Sequence, residues 1–497
     1  MSSTHAPKAR FSRRSILGGG AVAAAALGGG LCYRDQIGLL GTMAGRAIGS
    51  IGKPGSRILT PGRSFAQPVP QVGSLPASAD VVIVGGGFAG VCTALELAER
   101  GLHVLLCEKG VIAGEASSRA FGLVTNAFQA DVKLPIIARA QQLWKGMNQR
   151  IGAESGYQET GFTFFFDNDG PIDASRGWIA SVKDAPGIDA EVLNAAQAAA
   201  MEPARHSRAH GALHMKNSAT VDVAMSAPAI AIAARKAGAV ICQNTAVRAI
   251  EVAGGKVVGV VTEHGPVRTS TVVAAPGLWA SLLGGTLGLD IPLAQAWATR
   301  AMTKPMKGPM LPGSTGHCSI RRGLDGRYSF GVTQATSPIT MRALKTVPQF
   351  MDAMKDLGSE VHPSFDLSTF LWDWRLPDHW KSDEISPFEK VRIFDNEPNP
   401  AFLPTDALRD FVGLERFEIE RTFGGVLTTT PDNMPIISEV EGISGLILAA
   451  GLFYGVTMAP VVGETVANIV TGKNPAFDLK PLRFSRFTDG SPTLYQP

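Results

Sequence analysis

The chain has 497 residues, 45% of them hydrophobic and 18% charged. That length and balance suit a globular protein of two or three domains with at least one large core, and they exclude a disordered or fibrous chain. The formal charge of +3 is gathered at one end, because residues 1–35 hold Lys8, Arg10, Arg13, Arg14 and Arg34 against Asp35. The remainder is close to neutral and carries no basic footprint for nucleic acid.

In chain order, the first feature is "FSRRSILGGGAVAAAALGGGL" at residues 11–31. Ser12-Arg13-Arg14-Ser15-Ile16-Leu17 has the twin-arginine form of a bacterial export address. The run at 16–33 is carried mostly by Ala and Gly and would span about 27 Å as a helix. No A-x-A site follows it, and Leu31 ahead of Cys32 makes a poor lipoprotein site. A retained membrane helix is therefore expected in preference to a cleaved signal, with the body facing the periplasm. Residues 1–35 read as signal or anchor, and 36–78, with Pro54, Pro61, Pro68, Pro70 and Pro76, as a linker. The cysteines (Cys32, Cys92, Cys107, Cys242 and Cys318) show no CxxC pair and no metal spacing, and Cys92 and Cys107 read as buried inert thiols.

At Asp80 begins "DVVIVGGGFAGVCTALELAERGLHVLLCEKG". A short apolar strand at 81–84 leads into Gly85, Gly87 and Gly90, the three positions of G-x-G-x-x-G. A helical pattern with Val91, Leu95 and Leu97 follows, then a second strand at 103–107 ending in Glu108. Gly85 suits the tight turn, Gly87 the approach of backbone to pyrophosphate, and Gly90 the packing of helix on sheet. Phe88 and Ala89 open the helix toward phosphate, while Glu108, followed by Lys109, can accept from ribose hydroxyls. This is an α/β, Rossmann-like pattern for a dinucleotide.

Further on, 157–166 reads as a strand in which Phe162, Phe164 and Phe166 either line or pack a sheet. Residues 224–237 have helical composition. "TAVRAIEVAGGKVVGVVTEHGPVRTSTVVAA" reads as successive short strands with tight Gly turns. Residues 338–420 look like an added helical module, whose Phe370, Trp372, Trp374 and Trp380 either pack it onto the body or touch a membrane interface.

Three stretches resemble the D-amino-acid-oxidase-like flavoprotein superfamily: "GEASSRAFG", "STVVAAPGLWASLL" and the segment 428–472. The resemblance implies FAD, with Ser117, Ser118 and Arg119 near the flavin. It places Val247, Ala275, Gly277 and Trp279 on the adenosine side, and Gly451, Gly455, Val456 and Thr457 at a helix N-terminus near the flavin pyrimidine. A helix end there would stabilise negative charge on the reduced ring. The implied FAD-binding domain is discontinuous (79–130, 205–285 and 421–497). A mixed-sheet α+β substrate domain takes 131–204 and 286–420, including the helical module, and an N-terminal membrane helix completes the architecture.

From about Ala79 onward the chain also resembles the membrane-bound bacterial L-amino acid deaminases, in "LAERGLHVLLCEKGVIAGE", "LWKGMNQRIGAE", "SPFEKVR" and "MPIISEV". That resemblance implies oxidation of an L-amino acid to its imino acid, hydrolysis to 2-keto acid and ammonia, and electrons passed to a membrane quinone or cytochrome. A guanidinium fork suits a substrate carboxylate, and Arg321 in "SIRRGLDGRY" matches the family's carboxylate-binding Arg. Arg322 would point to the other sheet face. Arg321 as a surface charge in a hairpin is the plain alternative. Four positions depart from the family: Leu123 and Arg300 stand where it has Gln, and Tyr454 and Phe423 where it has Trp. Arg300 either admits a doubly anionic substrate or is salt-bridged and silent. Other readings of the same fold are a D-amino acid or secondary-amine dehydrogenase, and a non-catalytic flavin subunit of a membrane redox complex.

Overall fold

The computed structural model describes residues 58–59, 62–71, 74–201, 209–315, 318–357, 361–377, 379–403, 414 and 416–497. The expected membrane helix at 16–33 lies outside the described residues. Among the described residues no helix is long and apolar enough to cross a membrane.

Two large sheets organise the chain. The first has a parallel centre in the order Val240–Cys242, Val104–Cys107, Val81–Val84, Val272–Ala274, Ile443–Ala450. These strands are buried on both faces, and side chains alternate between them. Val81, Ile83 and Leu106 enter one core together with the helices Phe88–Glu99, Val223–Lys236 and Gly455–Val470. Val82, Val84 and Leu105 enter a second core under the antiparallel strands Val247–Ala253 and Lys256–Thr262. Chain order reverses at Val81–Val84, whose neighbours on its two sides are reached by separate crossovers. The carboxyl ends of Val81–Val84 and Val272–Ala274 therefore flank a topological switch point, the place where such sheets take a ligand.

The second sheet is mixed and runs Ile419–Thr429, Ala294–Thr303, Tyr328–Pro338, Ser319–Arg322, Gly313–Ser314, Phe162–Phe166, Gly211–Met215, Ala190–Asn194. Two domain boundaries are corrected by it. Gly211–Met215 and Ile419–Thr429, expected in the dinucleotide domain, pair into this second sheet. Their apolar alternation is equally compatible with either sheet, and only long-range pairing decides.

The linker reading of 36–78 is corrected where it is described. Ile58–Leu59 pairs with Asp395–Asn396, and Val69 is buried while its carbonyl accepts from Gln243 Nε2 at 2.9 Å. Phe65 packs against Phe423 with ring centres 4.7 Å apart and the rings tilted by 49°. Apolar residues scattered between prolines thus dock this stretch on the body.

The helical character of 338–420 is borne by Met341–Thr346, Met351–Leu357, Leu367–Arg375 and Pro387–Lys390. Trp372 packs against Trp279 and Phe394, and Trp380 packs on Phe388 while donating to the Arg248 carbonyl. Packing onto the body accounts for both, while Trp374 is exposed. Cys92, Cys107, Cys242 and Cys318 are buried and in no disulfide among the described residues. Burial pushes the thiols of Cys92 and Cys107 far up, which keeps them protonated and inert.

Candidate active site

At the switch point the backbone comes together as closely as the glycine pattern demands. Gly85 has φ +109, and a Cβ there would stand 2.4 Å from the Ala275 carbonyl oxygen. A Cβ on Gly90 would stand 1.9 Å from the Gly85 carbonyl oxygen. Any larger residue at either position would force strand and helix apart. The helix Phe88–Glu99 begins at Gly87 with no side-chain cap and no acidic residue in its first turn, so its partial positive charge is left for a ligand. Phe88 N–H donates to Ser117 Oγ at 3.0 Å, which ties the turn after the second strand to the same helix end.

Glu108 accepts from the Gly86 and Gly110 amides, each at 2.7 Å. Burial pushes its carboxyl up, with Lys109 and the two amides opposing. The Gly455–Val470 helix likewise starts at Tyr454 without a side-chain cap or an acidic first turn. Thr457 Oγ1 donates to the Leu123 carbonyl at 3.0 Å, and Trp144 Nε1 donates to the Val456 carbonyl at 2.9 Å. Two uncapped helix ends, a glycine-tight turn at the switch point and a half-buried carboxylate after the second strand fit a dinucleotide such as FAD.

The heads of three expected cofactor contacts have other partners. Arg119 is buried and held by Asp395, by the Gly424 carbonyl and by the Arg63 carbonyl. Lys109 Nζ pairs with Glu115 at 2.5 Å and lies 4.6 Å from the Trp279 ring centre. Trp279 Nε1 donates to Glu115 at 3.0 Å, and its ring is the socket for Trp372, Phe388 and Phe394. These residues fasten the helical module to the dinucleotide domain. Val247 and Ala275 are buried core residues at strand ends, and Gly277 and Gly451 take positive φ in the turns that follow. Ser118 is buried in the short helix Ala116–Arg119.

Arg321 is buried on Ser319–Arg322, and its Nε donates to the Phe121 carbonyl. Among the described residues its two terminal nitrogens have no partner. Burial pushes the guanidinium down, with Asp222 and Asp325 opposing from a distance. The Phe121–Leu123 stretch therefore holds both the arginine and the start of the final helix, through the carbonyls of Phe121 and Leu123. Arg322 turns the other way and donates to the Met306 carbonyl, as strand alternation requires. The surface-charge alternative for Arg321 is excluded by its burial.

Arg300 lies across the sheet from Arg321 with its guanidinium 4.8 Å from the Phe121 ring centre. Its Nη1 is enclosed and makes no hydrogen bond. Burial and the neighbouring Arg321 push it down to about 10. The salt-bridged alternative does not hold: no carboxylate among the described residues meets it. Phe423 is buried against Phe65, and the Tyr454 ring centre is 5.4 Å from Lys133 Nζ.

Sequence reasoning missed Phe65, Phe121, Lys133 and Arg421. Lys133 is fully buried, donates to the Gln496 and Pro497 carbonyls at 2.8 Å, and is lowered by burial to about 7. No local pattern marks a lysine for burial. Arg421 was findable, since it lies two residues before Phe423 and so on the same strand face.

Comparison with known proteins agrees with this geometry. The FAD dependent oxidoreductase (DAO) family model matches residues 80–469. The structure of an L-amino acid deaminase from Proteus myxofaciens, solved with anthranilate, is 31% identical, with a TM-score of 0.84 covering 88% of this chain and all of that one. The Proteus vulgaris L-amino acid deaminase is 27% identical, with a TM-score of 0.80 over 84% of this chain and 99% of that one. A form of the Proteus vulgaris enzyme lacking its "specific insertion sequence" is 26% identical and scores 0.67, over 85% of this chain and 97% of that one. Mitochondrial sarcosine dehydrogenase of Mus musculus is 25% identical over 87% of this chain. The chain spans less than half (44%) of that relative's length. A glycine-built switch-point cradle and a family match across both sheets lead to one conclusion: the chain belongs to the FAD dependent oxidoreductase (DAO) family, with FAD as its cofactor.

Proposed function

We propose that the chain oxidises an L-amino acid at its CH–NH2 carbon, giving an imino acid that water hydrolyses to the 2-keto acid and ammonia. The observation that carries this reading is Arg321, buried, held at Nε by the Phe121 carbonyl and open at both terminal nitrogens. That fork fits a carboxylate in two parallel hydrogen bonds. Pinning Nε fixes the plane of the guanidinium, so a bound carboxylate sets the direction of its Cα–H bond. Orientation of this kind can lower a barrier by several kcal/mol.

Bound FAD would supply the two-electron oxidant for this reaction. Gly85, Gly87 and Gly90 would cradle its pyrophosphate, Glu108 its ribose, and the amides at Gly455–Val456–Thr457 the pyrimidine edge. The substrate amine must be neutral before hydride leaves, and the site needs no obligatory protein base for that. Burial of Arg321, Phe121 and Phe423 keeps bulk water from the clamp.

Similarity to the Proteus deaminases supports the L-amino acid reading, and so does the module: likeness to the Proteus vulgaris structure drops from 0.80 to 0.67 when its insertion is deleted. The electron acceptor in this reading is a membrane quinone or cytochrome, with the body attached to the cytoplasmic membrane and facing the periplasm. The twin-arginine pattern at 12–17 supports that placement. A second reading, oxidation of an N-methyl amino acid, is favoured by the match to sarcosine dehydrogenase.

Anaerobic bleaching of the flavin by a panel of L-, D- and N-methyl amino acids tests the proposal. Reduction by L-amino acids alone supports deamination. Reduction only by sarcosine-like compounds selects the second reading, and reduction by dithionite but by no amine refutes both.

A further inference from the structure

Arg300, Arg321 and Arg421 stand on one face of the second sheet. Directly opposed residues in an antiparallel ladder share a face. The register places Phe423, Arg300, Gly331 and Ser319 in one row, and Arg421, Met302, Ser329 and Arg321 in the next. The opposite face presents Ala301, Phe330 and Ile320, which join Tyr328 and Leu414 in an apolar cluster. The polar face is therefore distinct from a core face, and its charge is all of one sign.

Arg300 reaches over its neighbour Gly331. A Cβ there would stand 3.1 Å from Arg300 Nη1 and 3.5 Å from its Cγ. Gly331 leaves the room that lets the side chain cross toward the Arg321 strand. Phe121 joins the two: its ring packs under Arg300, and its carbonyl holds Arg321 Nε. Arg421 adds a third guanidinium, stacked 4.8 Å from Phe65, with an enclosed Nε that makes no hydrogen bond. Arg119, whose guanidinium also lies over the Phe65 ring, is neutralised by Asp395. Among the described residues no carboxylate forms an ion pair with Arg300 or Arg321, and Asp222 and Asp325 act on Arg321 only from a distance.

Enclosed cations without counter-charge are costly unless a partner arrives. One carboxylate satisfies one fork, and Arg321 alone supplies that. We propose that Arg300 binds a second anionic group, so that the site selects an amino acid whose side chain ends in a carboxylate. This inference rests on the reading of Arg321 as the clamp for the α-carboxylate.

The test is equilibrium binding to the holoenzyme, read as perturbation of the flavin absorbance, with glutarate and succinate against butyrate as probes. Flavin reduction by L-glutamate against L-glutamine and L-norvaline is measured in parallel. The expected result is a preference of at least 30-fold for dicarboxylate over monocarboxylate, about 2 kcal/mol at 1.4 kcal/mol per tenfold. Arg300→Met should cut that preference to about threefold or less, and Arg300→Lys should retain part of it. Arg300→Gln, which restores the residue type of the resembling deaminases, is the second variant should the Met form fail to fold. Dicarboxylates should also raise the melting temperature of the wild type more than that of the variant.

Equal binding of mono- and dicarboxylates, or a preference that survives Arg300→Met and Arg300→Gln, overturns this inference and leaves the clamp reading intact. Binding of neither class, with no reduction by any amino acid, overturns both.

Discussion

Replacing Arg321 with Met removes the fork and keeps most of the side-chain volume. Each charge-assisted hydrogen bond contributes about 1.5–3 kcal/mol, so losing two removes about 3–6 kcal/mol of substrate and transition-state binding. At 1.36 kcal/mol per tenfold, kcat/KM should fall by about 10²–10⁴. Arg321→Lys retains a charge without the planar fork and should recover only part of the loss. Anaerobic single-turnover reduction separates the effects, because substrate dissociation constant and limiting reduction rate come from one titration. Both should worsen, since the fork that binds the carboxylate also aims Cα–H. The control is the decarboxylated amine of the same substrate, whose slow reduction should be nearly indifferent to the substitution. If amino acid and amine lose equally, Arg321 serves only to tie Phe121 to the sheet, and the clamp argument fails.

Gly90→Ala places a methyl against the Gly85 carbonyl, so the purified protein should carry less FAD, read as a lower ratio of flavin to protein absorbance. Gly463→Ala sets its Cβ 2.6 Å from the Cys92 backbone carbon, where two helices touch; a loss of about 1–3 kcal/mol in denaturant unfolding is expected. Glu389 is pushed up by burial, yet Arg248 and Ser386 outweigh this and lower it to about 2. Its stabilisation is present above about pH 4.5 and fades as pH falls toward 2, so Glu389→Gln should cost about 1–3 kcal/mol at neutral pH and progressively less on acidification. Lys133, lowered by burial to about 7, gives a slope of the same sign at higher pH: the unfolded chain binds more protons between that value and 10.5. Stability should climb across that window, and Lys133→Met should flatten the climb in unfolding curves taken at successive pH values.

What the sequence disclosed depended on how local the cause was. The strand, glycine turn, helix and second strand from 81 to 108 lie in consecutive residues, and each feature has a reason in its immediate neighbours. The helix at Val223–Lys236 and the strand at Phe162–Phe166 were likewise visible as composition and alternation. Strand partners were not. Gly211–Met215 and Ile419–Thr429 alternate as strands in either sheet would, and a short strand has no local sign of its neighbour. Phe65 was hidden for a related reason. A lone aromatic among prolines looks like linker until Phe423, Arg119 and Arg421 are seen to converge on it.

The pocket shows the same limit in a more consequential form. Arg321 and Arg322 are adjacent, and strand alternation says only that they oppose each other. The register assigns the faces: Arg321 faces Ser329 beside Met302, while Arg322 opposes Tyr328 and bonds the Met306 carbonyl. A slip of one residue would exchange them, removing the buried guanidinium from beside Arg300 and setting it on the face of the Ala301, Phe330 and Ile320 cluster. The choice of clamp is thus made by the whole ladder, with Gly331 as its sensitive point. A side chain there would push Arg300 off the row it shares with Phe423, and the two unpaired cations would no longer face a common ligand.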